Sequence, residues 1–219
     1  MAIKSIIFDL DGTIADTEHI WFRATNDFLA RRNIILNRED KEQLYKQLNG
    51  FALIPACHLI KKTLGLSESA EEIAHEKKEQ VLSLYKESIQ FIDGFVACHG
   101  QVNNEGLTSG IATNANDDTL AVIKNALQLE RFFGEHIYNI SHVNNRHKPD
   151  PALYQHAALQ LGRMPQECIA IEDSAHGIAA AQAAGMYCIG INTSKKLFQV
   201  AKADLIVDHY DQIKLSQLI

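Results

Sequence analysis

A chain of 219 residues, 46% hydrophobic and 22% charged, has room for one large domain, or for a core with a smaller second unit, built around an ordinary buried interior. Its formal net charge of −6 speaks against nucleic acid or an anionic membrane as partner, so a phosphate-handling site would need locally placed cations or metal. Cys57, Cys98, Cys168 and Cys188 form no C-x-x-C pair, which suits reduced, buried thiols rather than a zinc site or a disulfide framework, and with no signal-like or membrane-length apolar segment the expected location is the cytoplasm.

Ile3 to Leu10 is a short apolar run that reads as a buried strand. It ends in Asp9 and Asp11, followed by Gly12. Residues i and i+2 of a strand point to the same side, so both carboxylates can face one site. They repel unless a cation or a shared proton intervenes. Two readings stay open on this stretch alone. One is a magnesium site with one Asp as nucleophile; the other is an apolar strand running into an Asp-Gly turn.

Residues 16–90 then read as helical, with no convincing strand. Glu18 to Arg32 carries Ile20, Trp21, Ala24, Phe28 and Leu29 close to helical spacing. Glu39 to Leu48 makes a second helix stopped near Asn49-Gly50, and Ala52 to Leu64 and Ser69 to about Ile89 make two more, divided by Gly65. This block is a helical insertion between the first strand and everything downstream.

From Asp93 the pattern alternates. Ala97 to Glu105 fits a helix, Leu107 to Thr113 a strand, and Asn116 to Leu129 a helix with Asn116-Asp117-Asp118 as cap and first-turn acids. Glu135 to Ile140 is a short strand and Pro151 to Leu161 a helix. Cys168 to Ile171 is a strand, and Ala175 to Ala184 a small-residue helix ended by Gly185. Tyr187 to Ile191 is a strand, Leu197 to Lys202 a helix, and Asp204 to Val207 a last strand. Such alternation predicts an α/β fold with a doubly wound, mainly parallel sheet. The ten histidines scatter without ligand spacing, and His142 and His147 read as surface residues.

Polar residues gather where the predicted strands stop: Asp9-Leu10-Asp11, Thr113-Asn114 and Glu172-Asp173, with Lys148-Pro149 at a loop-to-helix entry. In a parallel sheet all strand C-termini share one edge, so these groups can converge. Together they are the parts that phosphoryl transfer needs. A carboxylate can attack phosphorus, further carboxylates suit magnesium, a lysine and a hydroxyl can hold phosphoryl oxygens, and another carboxylate can move protons.

The order and spacing of Asp9-Leu10-Asp11-Gly12-Thr13, Thr113, Lys148-Pro149 and Glu172-Asp173-Ser174, with the run from Ala175 to Met186, resemble the haloacid dehalogenase-like superfamily, in its helical-cap phosphatase and phosphomutase branch. The resemblance implies a Rossmann-like core over residues 1–15 and 93–219, and a substrate-selecting cap over 16–92. It implies that Asp9 is the nucleophile and Asp11 the general acid and base. Magnesium would be held by Asp9, Asp11 through its backbone carbonyl, and Asp173, with Glu172 adding a contact. Thr113, Asn114 and Lys148 would bind the phosphoryl group. Trp21, Asn49, Gly50 and Phe51 are the cap residues placed to meet the substrate.

The implied activity is magnesium-dependent hydrolysis of small phosphate monoesters, of sugar-phosphate or phosphoglycolate type, through an aspartyl-phosphate. Asp11 favours phosphate esters, because dehalogenating relatives lack an Asp two residues after the nucleophile. A β-phosphoglucomutase-like mutase is the alternative. Such an enzyme resembles this chain less in the cap, where Trp21 and Leu53 stand in place of a histidine and a phosphate-gripping arginine. A non-catalytic binding or regulatory protein on the same scaffold is the alternative of another class. A small phosphorylated metabolite is the expected partner, and a monomer the default.

Overall fold

The computed structural model describes residues 2–48 and 53–218. Six strands form one sheet: β1 (Ser5–Phe8), β2 (Thr108–Thr113), β3 (Ile137–Asn139), β4 (Cys168–Glu172), β5 (Tyr187–Ile191) and β6 (Leu205–Val207). Their order is β3-β2-β1-β4-β5-β6 and every pairing is parallel. The doubly wound α/β expectation therefore holds. β1 lies at the centre with all four residues buried, as a strand covered on both faces must be. Phe8 pairs in register with Ile111 of β2 and Ile171 of β4. That register brings Asp9, Thr113 and Glu172 to one edge.

The helices are α1 (Glu18–Arg31), α2 (Arg38–Leu48), α3 (Leu53–Leu64), α4 (Ala70–Ser88), α5 (Phe95–Asn104), α6 (Asp117–Leu127), α7 (Glu130–Phe133), α8 (Ala152–Gln160), α9 (Ala175–Ala183) and α10 (Leu197–Val200). The strand expected over Glu135 to Ile140 is shorter, because Ile140–Val143 winds into a 3-10 turn capped by Asn139. The helix expected to run to Leu129 stops at Leu127, where Gln128 takes a left-handed φ of 51° and α7 begins afresh. The helix expected from Ala97 starts two residues earlier, at Phe95, just after Gly94 with φ 81°. All four cysteines are free and buried. Among the described residues, no helix is long and apolar enough to cross a membrane.

The chain divides into two compact units, one of Met1–Glu18 with Ser88–Ile219 and one of His19–Glu87. The sequence reading set the divisions at 15/16 and 92/93. Backbone bonds from Asp16 N–H to Gln90 O and from Ile92 N–H to Ile14 O tie both connecting segments to the sheet unit. The sheet unit packs Ile7, Ala112, Leu153, Tyr154, Ala157, Ile178 and Cys188 into its core.

The helical unit packs Phe28, Leu29, Cys57, Ile60, Ala70, Ile73 and Ala74 together. Arg32 lies 3.8 Å over the Phe28 ring and donates to both carboxylate oxygens of Glu76, at 3.1 and 2.6 Å. At α4, Ser69 and Glu72 cap reciprocally: Ser69 N–H donates to Glu72 Oε2 and Glu72 N–H to Ser69 Oγ. Lys77 on this helix is only 3% exposed and donates to Thr25 Oγ1 at 2.7 Å. Burial pushes its pKa down to about 8, against the pull of Cys57 and Glu76.

A buried ammonium is costly to keep charged, so Lys77→Met is expected to raise stability at pH 7 by about 1–4 kcal/mol. The gain should shrink between pH 8 and about 10. There the native lysine has already lost its proton while the unfolded chain keeps it, so wild-type stability rises with pH. Urea midpoints of both proteins across that range check the sign.

Candidate active site

Asp9 directly follows β1, and its N–H donates to Ile171 O of the neighbouring strand at 2.9 Å. The loop after it is stapled tightly. Ile14 and Ala15 N–H both donate to Leu10 O, Thr193 Oγ1 donates to Gly12 O at 2.8 Å, and Tyr210 OH donates to Thr13 O at 2.9 Å. Gly12 has φ 79°, and a Cβ there would stand 2.2 Å from Asp173 Oδ2. Only glycine lets the turn close against that carboxylate.

Lys148 is the hub. It is buried, and its Nζ donates to Asp9 Oδ1 at 2.6 Å, Glu172 Oε1 at 2.6 Å and Ala112 O at 2.8 Å. Its backbone N–H donates to Asn114 Oδ1 at 3.0 Å. Asn114, itself exposed, thereby holds the lysine loop against the end of β2. Thr113 is buried, and its Oγ1 accepts from Ala115 N–H at 3.1 Å, an arrangement that shapes the turn leaving β2.

Glu172 is fully buried and uses both oxygens on protein donors. Oε1 accepts from Lys148 and from Tyr154 OH at 2.9 Å; Oε2 accepts from Ser174 Oγ at 3.0 Å and Ser174 N–H at 3.3 Å. Gly177 on α9 makes room for it, because a Cβ there would fall 1.8 Å from Oε1. Gly177→Ala is therefore expected to displace Glu172 and Lys148 together. Overpacking of this kind costs about 1–3 kcal/mol, and activity should fall with it, as thermal melting and kcat on one phosphate ester would show.

Asp9, Glu172 and Asp173 each offer a carboxylate oxygen within 4.8 Å of the others. Burial first, then the Glu172 charge, pushes Asp9 up to about 7, while Lys148 holds it back. Asp173 is raised well above the carboxylate range by burial and by its neighbours Asp9 and Glu172. One ammonium does not neutralise this cluster. Hard oxygen donors at such spacing fit a divalent cation, which makes the cluster a candidate metal site. Burial works against the charge on Lys148, but Asp9 and Glu172 outweigh it and hold its pKa above the usual lysine value. Asp11 is half-buried; burial raises its pKa, and a hydrogen bond with the Thr17 side chain opposes the rise.

The sheet unit thus brings Asp9, Lys148 and Glu172 into direct contact and sets Asp173 beside them. Trp21 is half-buried on α1 in the helical unit, and its carbonyl accepts from Thr25 Oγ1 at 2.9 Å. Asn49, Gly50 and Phe51 lie outside the described residues. Sequence reasoning missed Tyr154, whose buried hydroxyl touches Glu172 and lies 3.4 Å from Lys148 Nζ. Its signal was a tyrosine on the inner face of the helix after Lys148, because a buried phenol needs a polar partner.

The family profile of the haloacid dehalogenase-like hydrolases matches residues 6–191. This chain belongs to that family. Among curated relatives of this hydrolase is Protein CbbY of Rhodobacter capsulatus, 32% identical over 198 residues that span 85% of this chain and 84% of the relative. Another is Hexitol phosphatase A of Escherichia coli (strain K12), 24% identical over 218 residues, 99% of this chain and 96% of the relative. A solved structure of a CbbY variant from Rhodobacter sphaeroides, in complex with xylulose-(1,5)bisphosphate, superposes with a TM-score of 0.73 at 25% identity. It covers 99% of each chain. The haloacid dehalogenase-like chain described here is an enzyme of the phosphoric monoester hydrolase type.

Proposed function

We propose that this hydrolase is a magnesium-dependent phosphatase of small sugar phosphates working through an aspartyl-phosphate. The observation that carries the reading is the Lys148 ammonium held 2.6 Å from both Asp9 and Glu172, inside a cluster of three carboxylates. The relative named as a hexitol phosphatase and the neighbour holding a sugar bisphosphate support the substrate class.

In this reading an Asp9 oxygen attacks phosphorus as the ester P–O bond breaks, and Asp11 gives its proton to the leaving oxygen. Burial raises the Asp11 pKa, which favours the protonated form that this step uses. Asp11 then takes a proton from water, which attacks the phosphorus, freeing Asp9 and inorganic phosphate. Lys148, with Thr113 and the turn held by Asn114, balances charge on the phosphoryl oxygens. Asp9, Asp173 and the Asp11 carbonyl would hold Mg2+. Bound there, it would neutralise phosphoryl and carboxylate charge. Glu172, with four hydrogen bonds to protein groups, orients Lys148 and stands behind the metal ligands. Residues 16–92 act as the cap that selects substrate, with Trp21 and the 49–51 segment as its candidate contacts.

Phosphate release across a panel of phosphorylated sugars, sugar alcohols and phosphoglycolate tests this. Turnover is expected with Mg2+ and is expected to vanish with EDTA and return on Mg2+ addition. Release that is indifferent to chelation would sink the metal assignment, and silence across the panel would sink the substrate class. β-Glucose 1-phosphate serves as the check on the mutase alternative. Inorganic phosphate is the expected product, whereas glucose 6-phosphate would reverse the assignment.

A further inference from the structure

The outer strand β3 and its surroundings gather a second set of metal-binding side chains that the chemistry at Asp9 does not use. The Tyr138 ring lies 5.6 Å from the His142 ring and 5.0 Å from the His156 ring, at 86° and 83°. The two imidazoles are themselves 5.7 Å apart, centre to centre, and tilted by 39°. His142 comes from the 3-10 turn Ile140–Val143 and His156 from α8, so two separate elements deliver them to one place. A cation about 2.1 Å from one nitrogen of each ring, at a tetrahedral angle, would set the ring centres roughly 5 Å apart.

A hydrogen-bonded cap holds the His142 ring in place. Its Nδ1 lies 2.8 Å from Asn139 Oδ1 and 3.2 Å from the Asn139 backbone nitrogen. Asn139 is held in turn, with Nδ2 donating to Asp117 Oδ1 at 2.7 Å, while Ser141 Oγ lies 2.9 Å from that oxygen and 2.7 Å from Asn139 Oδ1. Asn139 thus engages Nδ1 through both its backbone N–H and its side-chain oxygen, which fixes the ring and leaves Nε2 as the nitrogen to coordinate once it gives up any proton it carries. His142 is exposed and His156 half-buried, so an ion has access. Burial, and then the facing His142 ring, lower the His156 pKa and favour the neutral form that a metal requires.

We propose that His142 and His156 form a second metal site, for a borderline divalent cation of the Zn2+ or Ni2+ class, completed by water. Imidazole nitrogens suit those ions, whereas Mg2+ prefers the oxygen ligands of the acidic cluster. Calorimetric titration of metal-stripped protein with Ni2+, in excess Mg2+ to occupy the carboxylates, reads the site directly. Wild type is expected to take up one Ni2+ equivalent, and Ni2+ is expected to broaden the imidazole NMR signals of His142 and His156 first. His142→Gln and His156→Gln should each lose that equivalent, whereas His75→Gln, on α4, should keep it. Phosphate release with Mg2+ should be the same in all these proteins. Absence of the equivalent in wild type, or its survival in either His142→Gln or His156→Gln, overturns the site.

Discussion

Asp9→Asn is expected to abolish phosphate release, by roughly 10⁴-fold or more in kcat, because an amide cannot form the aspartyl-phosphate. The same change should leave the fold intact or firmer. Asp9 is buried in a cluster where burial and Glu172 push its pKa up to about 7. The unfolded carboxyl titrates near 4, so between about pH 4 and 7 the native state binds more protons than the unfolded one. Stability of the metal-free wild type therefore falls as pH rises through that window, and the neutral amide escapes this loss. A dead enzyme whose thermal midpoint at pH 7 is equal to or above that of wild type separates chemistry from structure. Activity within tenfold of wild type would falsify the nucleophile assignment.

Lys148→Met is expected to damage both stability and activity. It leaves the Asp9 and Glu172 carboxylates buried without the cation that lies 2.6 Å from each. Breaking a buried pair from one side costs about 3–5 kcal/mol, and loss of a charge-stabilising donor costs about 10²–10³ in kcat. The stability loss should be greatest in EDTA, smaller in Mg2+, and smaller again at low pH, where protonated carboxyls need no counter-charge. Tyr154→Phe makes a graded comparison, since it removes one hydrogen bond to Glu172 and leaves the ammonium in place. It should cost about 1–3 kcal/mol with a modest fall in kcat. Denaturant midpoints with and without Mg2+ check both variants; equal midpoints for wild type and Lys148→Met in EDTA would show that the lysine is not the counter-charge of the cluster.

Much of this site was legible along the chain because its parts are local. A buried parallel strand must be apolar on both faces, so Ile6-Ile7-Phe8 announces β1 and Asp9 marks its end. The same holds for Cys168 to Ile171 before Glu172-Asp173, and for the Asn116 cap before α6, whose side chain accepts from Thr119 N–H. Boundaries were less legible where a turn competed with a strand or a helix. Ile140 continues an apolar pattern, yet Asn139 captures the backbone there for a 3-10 turn.

The sequence by itself determined the alternation of strands and helices, the helical insertion after β1, and which polar residues stand at the strand ends, because each depends on neighbours a few residues away. The tertiary structure alone decided which of those residues meet. Lys148 meets Asp9 across 139 positions of chain and Glu172 across 24, and only the sheet register sets those distances. That register set Glu172, within the acidic cluster, against Lys148, Tyr154 and Ser174, and set Asn114 to hold the lysine's backbone. It also required glycine at positions 12 and 177, where carboxylates 161 and 5 residues away occupy the space of a side chain. No periodicity carries such information, because a buried charge chooses its partner by proximity and desolvation, and both exist only once the sheet is assembled.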